Sequence, residues 1–339
     1  MKSVYLQDYL KRNWLVIGII SCIVLARAFP SIGAKGGSLK PEYSVKYGAV
    51  AVIFLISGLS LQTDSIFDTF HQYRLHIFVQ CFTFLFIPIY TSLLVSIFEN
   101  ILPVDLWILK GLLIVACMPP PVSSAVILTK AARGNEVAAI FNSVLGSFLG
   151  IIITPLLLLL VLNVSTNVPL FSTIFQLSGT VLLPLVIGQF IKKSVAYFKR
   201  VHPALSNISQ CALLLIIYCT FCDAFVMPDI GLRTVDIFMT VILVLIEKLS
   251  LLAISFMSTK YFHCFTNDDI VAILFCSTHK SLTLGIPILR IMFSGFQYAG
   301  RIMLPLLVYH PVQIILGGFF VSSLKDWVHS DRRKRRPFV

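Results

Sequence analysis

Apolar side chains in this chain are gathered into long runs, and that feature limits its fold more than any other. Apolar residues make up 57% of the sequence and charged residues only 12%, about half the charged fraction of a soluble domain. The runs approach the roughly 20 residues that a helix needs, at about 1.5 Å per residue, to cross a hydrocarbon core. Ten spans are expected: Trp14–Phe29, Lys46–Leu61, His76–Phe98, Gly111–Lys130, Glu136–Leu162, Leu170–Ile191, Leu205–Phe225, Val235–Phe262, Ile270–Phe293 and Ile302–Leu324. Lipid cannot satisfy open backbone groups, and the runs do not alternate as barrel strands do, so the fold class is an all-α polytopic membrane protein.

The net charge of +12 admits two readings, nucleic-acid binding or an excess of cytoplasmic cations. Position decides between them. With both termini cytoplasmic, the outer segments hold only Arg27, Lys35, Lys40, Lys46, Lys110, Arg233, Arg290 and Arg301. Most other Lys and Arg residues, including Arg332 to Arg336 in a basic tail, lie inside. No nucleic-acid partner is expected; the partner is the lipid bilayer. The tail reads as a topology anchor, with anionic lipid as the alternative. Eight cysteines lie in or beside apolar runs, which is not a disulfide framework, and the Cys219–Cys222 pair sits inside one run without a partner pair. Trp14–Phe29 reads as a first span rather than a cleaved leader. The sequon at Asn163 falls in a predicted outer loop very near the membrane.

Two spans are interrupted. The fourth contains Cys117-Met-Pro-Pro-Pro-Val-Ser-Ser124, where Pro119, Pro120 and Pro121 remove three donors and forbid a regular helix. The ninth contains Cys276-Ser-Thr-His-Lys-Ser-Leu-Thr-Leu-Gly-Ile-Pro287, with breaks expected at Gly285 and Pro287. Both hold the same ordinal place in a set of five. This divides the chain into repeats over 1–163 and 164–324 and a tail over 325–339. An odd number of spans per repeat inverts one copy relative to the other. Paired interruptions of this kind point to the binding site of a secondary transporter. Unwound carbonyls suit a cation, and helix starts near Ser123 and Ser281 suit an anion. A pair of proline kinks satisfied by neighbouring helices is the structural alternative.

Lys280 lies mid-span, where an ionisable group costs about 2.5–3.5 kcal/mol on insertion scales. Its partner is either Glu247, as a buried ion pair, or an anionic solute. His279 reads as a hydrogen-bonded helix residue or as a proton relay. Asn142 and Ser143, with Ser147, either serve small-residue packing beside Gly146 and Gly150 or supply an oxygen to an ion. Ser124, Thr278 and Thr283 complete the candidate binding set. No metal site is expected, since no cluster has ligand spacing.

The strings Cys117–Lys130, Arg133–Ser143 and Phe275–Pro287 resemble the sodium/bile acid cotransporter family, solute carrier family 10, most nearly its divergent member 7 branch. Tyr309-His-Pro311 and Pro30–Gly33 fit too. The resemblance implies two inverted five-helix repeats, a panel from spans 1, 2, 6 and 7, and a core in which helices four and nine cross. In sodium-coupled members it implies ion ligands at positions matching Ser124, Ala125, Ala139 and Ser143, and a Glu near Thr278. Here the amide, one hydroxyl and the carboxylate are missing, and Lys280 brings positive charge instead. Sodium as the coupling ion is left open, no other cofactor is expected, and Lys280 is read as a built-in ammonium. The branch resembled is associated with the plasma membrane, Golgi and endoplasmic reticulum. It is linked to limiting calcium entry through calcium-entry machinery, and to glycosylation and matrix formation; bile acids are not its expected cargo.

Three classes of function compete. The first is a carrier, or carrier-like regulator, of an unidentified solute. The second is a non-transporting regulator that acts through partner proteins. The third, an intramembrane enzyme, is disfavoured because no paired intramembrane aspartates, HExxH or GxSxG occur.

Overall fold

A computed structural model describes residues 14, 17–18, 20–60, 72–162, 179–180, 183–194, 202–226, 234–293 and 298–335, and every regular element among them is helical. Asn163 and half of the expected sixth span lie outside the described residues. The longer helices are α1 Val50–Ser60, α2 Tyr73–Ile101, α3 Leu106–Ala116, α4 Val122–Ala131, α5 Glu136–Leu162, α6 Leu183–Ser194, α7 His202–Val226, α8 Thr234–Tyr261, α9 Asn267–Thr278, α10 Leu282–Met292 and α11 Ala299–Arg335. By length and composition, four stretches among the described residues are fit to cross a membrane: Tyr73–Ile101, Glu136–Val161, Val235–Tyr261 and Ala299–Ser330. Each carries many large apolar side chains on its outside, such as Ile77, Leu160, Phe238 and Phe319, as a lipid-facing surface requires.

The chain forms two compact units. The first unit takes residues 1–61, 168–231 and 286–300. In it α1 and α6 approach at facing glycines. A Cβ on Gly58 would lie 2.2 Å from the Leu185 carbonyl oxygen, and one on Gly188 would lie 2.3 Å from that of Leu55. The Gln189 amide donates to the Gly58 carbonyl at 2.6 Å. Tyr218 of α7 donates to the Phe29 carbonyl, and the Lys35 amide donates to Asp223.

The second unit takes residues 62–167, 232–285 and 301–339 and holds every candidate site residue except Pro287. Its joints are polar at the helix ends. Asp105 caps α3 by accepting from the Trp107 amide and is paired with Arg301 at the start of α11. Thr266 and Asp269 form a reciprocal cap at the start of α9. Asn135 donates to Asp269 and to Gln72, so one side chain links the starts of α2, α5 and α9. Midway along α5, Gly146 and Gly150 meet Pro120 and Pro119, with added Cβ atoms 2.4 and 2.6 Å from the rings. The small residues of the fifth span are therefore the seat of the proline break, which is the packing reading of that span.

Helix α11 runs without interruption past Leu324 to Arg335, so the basic tail begins as helix rather than as a separate segment. No Gly or Pro follows Gly318 until Pro337, so no helix-breaking residue interrupts this stretch of α11. Gly146→Leu should clash with Pro120, costing about 1–3 kcal/mol of stability or more. Gly318→Ala, with open space around it, should be neutral or mildly stabilising. Thermal unfolding of the solubilised protein distinguishes the two.

Candidate functional site

Each interrupted helix leaves carbonyls without helical partners at the point where it stops. The first break runs from Cys117 to Pro121, between α3 and α4. The carbonyls from Ala116 to Pro119 are engaged. Ala116 and Met118 accept from the Lys280 ammonium at 2.7 and 2.9 Å. Cys117 accepts from Thr154 at 2.8 Å, and Pro119 accepts from the Ser281 amide at 2.8 Å. The last of these bonds joins the two breaks directly.

The second break lies at His279, Lys280 and Ser281, earlier than the sequence suggested. Gly285 and Pro287 are not the break; both sit inside α10. Gly285 serves close packing, since a Cβ there would stand 2.6 Å from Leu306 and 3.0 Å from the Met118 sulfur. Pro287 lies in the second turn of α10, where it costs one helical bond rather than the helix. Tertiary partners set the break. The Gln313 side chain accepts from the Lys280 amide at 2.8 Å and donates to the Lys280 carbonyl at 3.0 Å. The Thr278 carbonyl, at the end of α9, accepts from the Lys248 ammonium at 2.7 Å and from the Tyr309 hydroxyl at 2.9 Å. Ser281 then starts α10 by accepting from the Leu284 amide.

The two lysines play equivalent parts. Lys280 caps the C-terminal end of α3, with a longer third contact to the Thr83 carbonyl at 3.4 Å. Lys248 caps the C-terminal end of α9, also reaching the Thr278 hydroxyl at 2.9 Å and lying 5.5 Å from the Tyr309 ring centroid. Both side chains are fully buried. A helix C-terminus carries partial negative charge and open carbonyls, so a cation there is stabilised by both effects. Three ammonium protons meet oxygen acceptors and a ring face, which offsets the cost of burying the charge.

Lys280 and Glu247 do not form an ion pair, which was one of the two readings of Lys280. Among the described residues no contact between them falls within 4.0 Å, because the ammonium is committed to carbonyls. Glu247 instead accepts from Thr91 at 2.8 Å, and its second oxygen is buried without a partner. Asn142 is likewise not turned to the breaks. Its amide donates to the Ala138 carbonyl and meets His76, and its oxygen accepts from Gln80 of α2. Ser143 faces the Cys276 sulfur at 3.8 Å. Ser124 meets His279 at 3.4 Å, and the other ring nitrogen of His279 is buried without a partner. Ser123 and Thr283 stand in the first turns of α4 and α10, and their side chains lie outside the described part. Lys248, Tyr309 and Gln313 were missed as site residues. Lys248 carried the same mid-span cost that singled out Lys280.

A membrane protein of long apolar helices, with two interrupted ones bonded to each other at their breaks, has the build of a carrier. Comparison with known proteins makes this specific. Residues 13–326 match the SBF-like CPA transporter family, and the chain belongs to that family. It is 49% identical over 330 residues to Sodium/bile acid cotransporter 7-B of Xenopus laevis, covering 97% of this chain and 96% of that protein. Against Sodium/bile acid cotransporter 7 of Rattus norvegicus it is 47% identical, covering 97% of each chain. Solute carrier RCH1 of Saccharomyces cerevisiae is 28% identical over 380 residues, 96% of this chain and 86% of the yeast protein. This is a transporter family and not an enzyme family.

Gln313→Leu should leave both backbone groups of Lys280 dry, at about 1–3 kcal/mol for each unmade bond. The melting temperature should fall accordingly, while Ser330→Ala, at an exposed position on the same helix, should leave it unchanged.

Proposed function

We propose that this protein is a carrier of an unidentified small solute that works without sodium, because lysine ammoniums hold the places where unwound helix ends would otherwise call for a metal cation. The single observation that carries this reading is the commitment of the Ala116, Met118 and Thr278 carbonyls to Lys280 and Lys248. An alkali cation needs several open oxygens, and these are taken. A neutral Thr278 where sodium-coupled relatives of the resemblance have a Glu argues the same way.

The proposed architecture is ten spans in two inverted repeats, 1–163 and 164–324, followed by the basic stretch 325–339 with both termini cytoplasmic. The support is the matching ordinal place of the two breaks and the grouping of the chain into compact units. The first unit takes the segments of spans 1, 2, 6 and 7, and the second takes those of spans 3–5, 8 and 10 with the first half of span 9. The outward bias against Lys and Arg supports the orientation. An anionic solute suits the charge balance, because two buried ammoniums face one carboxylate. The cellular role proposed, by resemblance, is the limitation of calcium entry. It would act from the plasma membrane, Golgi or endoplasmic reticulum through calcium-entry machinery, with consequences for glycosylation and matrix formation. Bile acids are not the proposed cargo. A non-transporting regulator would share the cellular role but show no solute flux in proteoliposomes.

At fixed pH and ionic strength, the melting temperature of the purified protein should be the same in sodium, potassium and choline salts. Lys280→Ala should open the carbonyl cluster and gain a sodium-specific rise, worth about 2.7 kcal/mol at a hundredfold excess over Kd. A sodium-specific rise in the native protein would sink the reading and restore a sodium-coupled symporter.

A further inference from the structure

The lysines account for the helix ends, but not for Glu247. It is fully buried on α8, immediately before Lys248. One carboxyl oxygen accepts from Thr91 of α2, and the other is buried with no partner at all. The titratable groups facing it come from each neighbouring element: Lys248 on its own helix, Lys280 at the second break, Cys117 at the first break and Tyr309 on α11. None forms an ion pair with it within 4.0 Å among the described residues.

We propose that Glu247 is an exchangeable proton site at the centre of the second unit, and that the proton is the ion whose binding this carrier senses. The inference rests on the reading that lysines occupy the helix ends in place of sodium. Two opposing effects act on the carboxyl. A dry, unbonded oxygen disfavours the anion. Two nearby ammoniums, each fixed on its own carbonyls, favour it. Neither ammonium can close on Glu247 without abandoning a helix end, so the carboxyl is not locked as half of a salt bridge. On protonation an O–H bond forms at the unpartnered oxygen, the proton comes from bulk hydronium, and deprotonation returns it to water. One charge appears or disappears beside both breaks while all of their backbone bonds stay in place. The carboxyl thereby supplies a variable charge in a cluster whose amines are covalent parts of the scaffold and stay on their carbonyls.

The test uses the full chain in lipid nanodiscs, read by infrared difference spectroscopy across a pH series, with thermal unfolding on the same samples. Beside the band common to its exposed carboxyls, the native protein should show a second protonated-carboxyl C=O band, at the higher frequency of a dry, weakly bonded acid, that grows on acidification and is lost reversibly on alkalinisation. Glu247→Gln should lack that band, and Glu247→Asp should keep a titrating band at a shifted frequency. The melting temperature should follow the same titration in the native protein and be flat over that window in Glu247→Gln. A native protein without the second, higher-frequency titrating band, or an unchanged second band or pH profile in Glu247→Gln, overturns the proposal. Should Glu247→Gln fail to fold, an unshifted titrating band in Glu247→Asp overturns it equally. The sodium comparison at fixed pH is independent of this band, so each reading can fail without the other.

Discussion

Everything in the second unit depends on how two helices can stop in the middle of an apolar layer. A helix end exposes carbonyls that neither lipid nor apolar side chains can satisfy. Here an ammonium is laid across each exposed end, Lys280 on α3 and Lys248 on α9. The arrangement is reciprocal in chemistry, because the cation costs stability when buried alone and the open carbonyls do too. Brought together, each removes the other's penalty. The remaining bonds then follow. Thr154 takes the Cys117 carbonyl that lies between the two held by Lys280, and Gln313 holds the peptide groups of Lys280 itself.

The rest of the second unit is shaped to keep that meeting of helices tight. Gly146 and Gly150 let α5 lie against the prolines, and Gly285 lets α10 lie against Met118 and Leu306. The amide of Ser281 reaches the carbonyl of Pro119, so the two breaks share backbone bonding as well as side-chain caps. A cation that left and returned during a transport cycle would have to dismantle this set. An ammonium on a side chain cannot leave, which separates the structural duty of the charge from any exchange of ions with solution.

Much of this was legible in the sequence, and the parts that were not share a cause. The first break was plain because three prolines enforce it locally, whatever surrounds them. The starts of the second half-helices, near Ser123 and Ser281, were also close to Val122 and Leu282. The second break was misplaced onto Gly285 and Pro287 because its true position is fixed by Gln313, Tyr309 and Lys248, which are remote in sequence. Nothing local in His279, Lys280 or Ser281 forbids a helix. Lys280 stood out by the cost of a mid-span charge. Lys248 carried the same cost, but it lies in an uninterrupted span away from either break in sequence, so nothing local tied it to the site. The Glu247–Lys280 pairing failed for a related reason: opposite charge was weighed, but the competing attraction of bare carbonyls was not. Asn142 was placed near the breaks by its position in the fifth span, whereas the face it occupies turns toward His76 and Gln80.

The unbroken length of α11 has a mechanical consequence. At about 1.5 Å per residue, its 37 residues reach about 55 Å, well beyond a hydrocarbon core of about 30 Å. The helix that carries Tyr309 and Gln313 into the centre therefore emerges as a stiff rod, braced by Trp327 against Phe256 and Lys260 of α8. A force applied to its basic end is not absorbed by a slack linker. It arrives as tilt or rotation at the two side chains that hold the second break, about five to seven turns away.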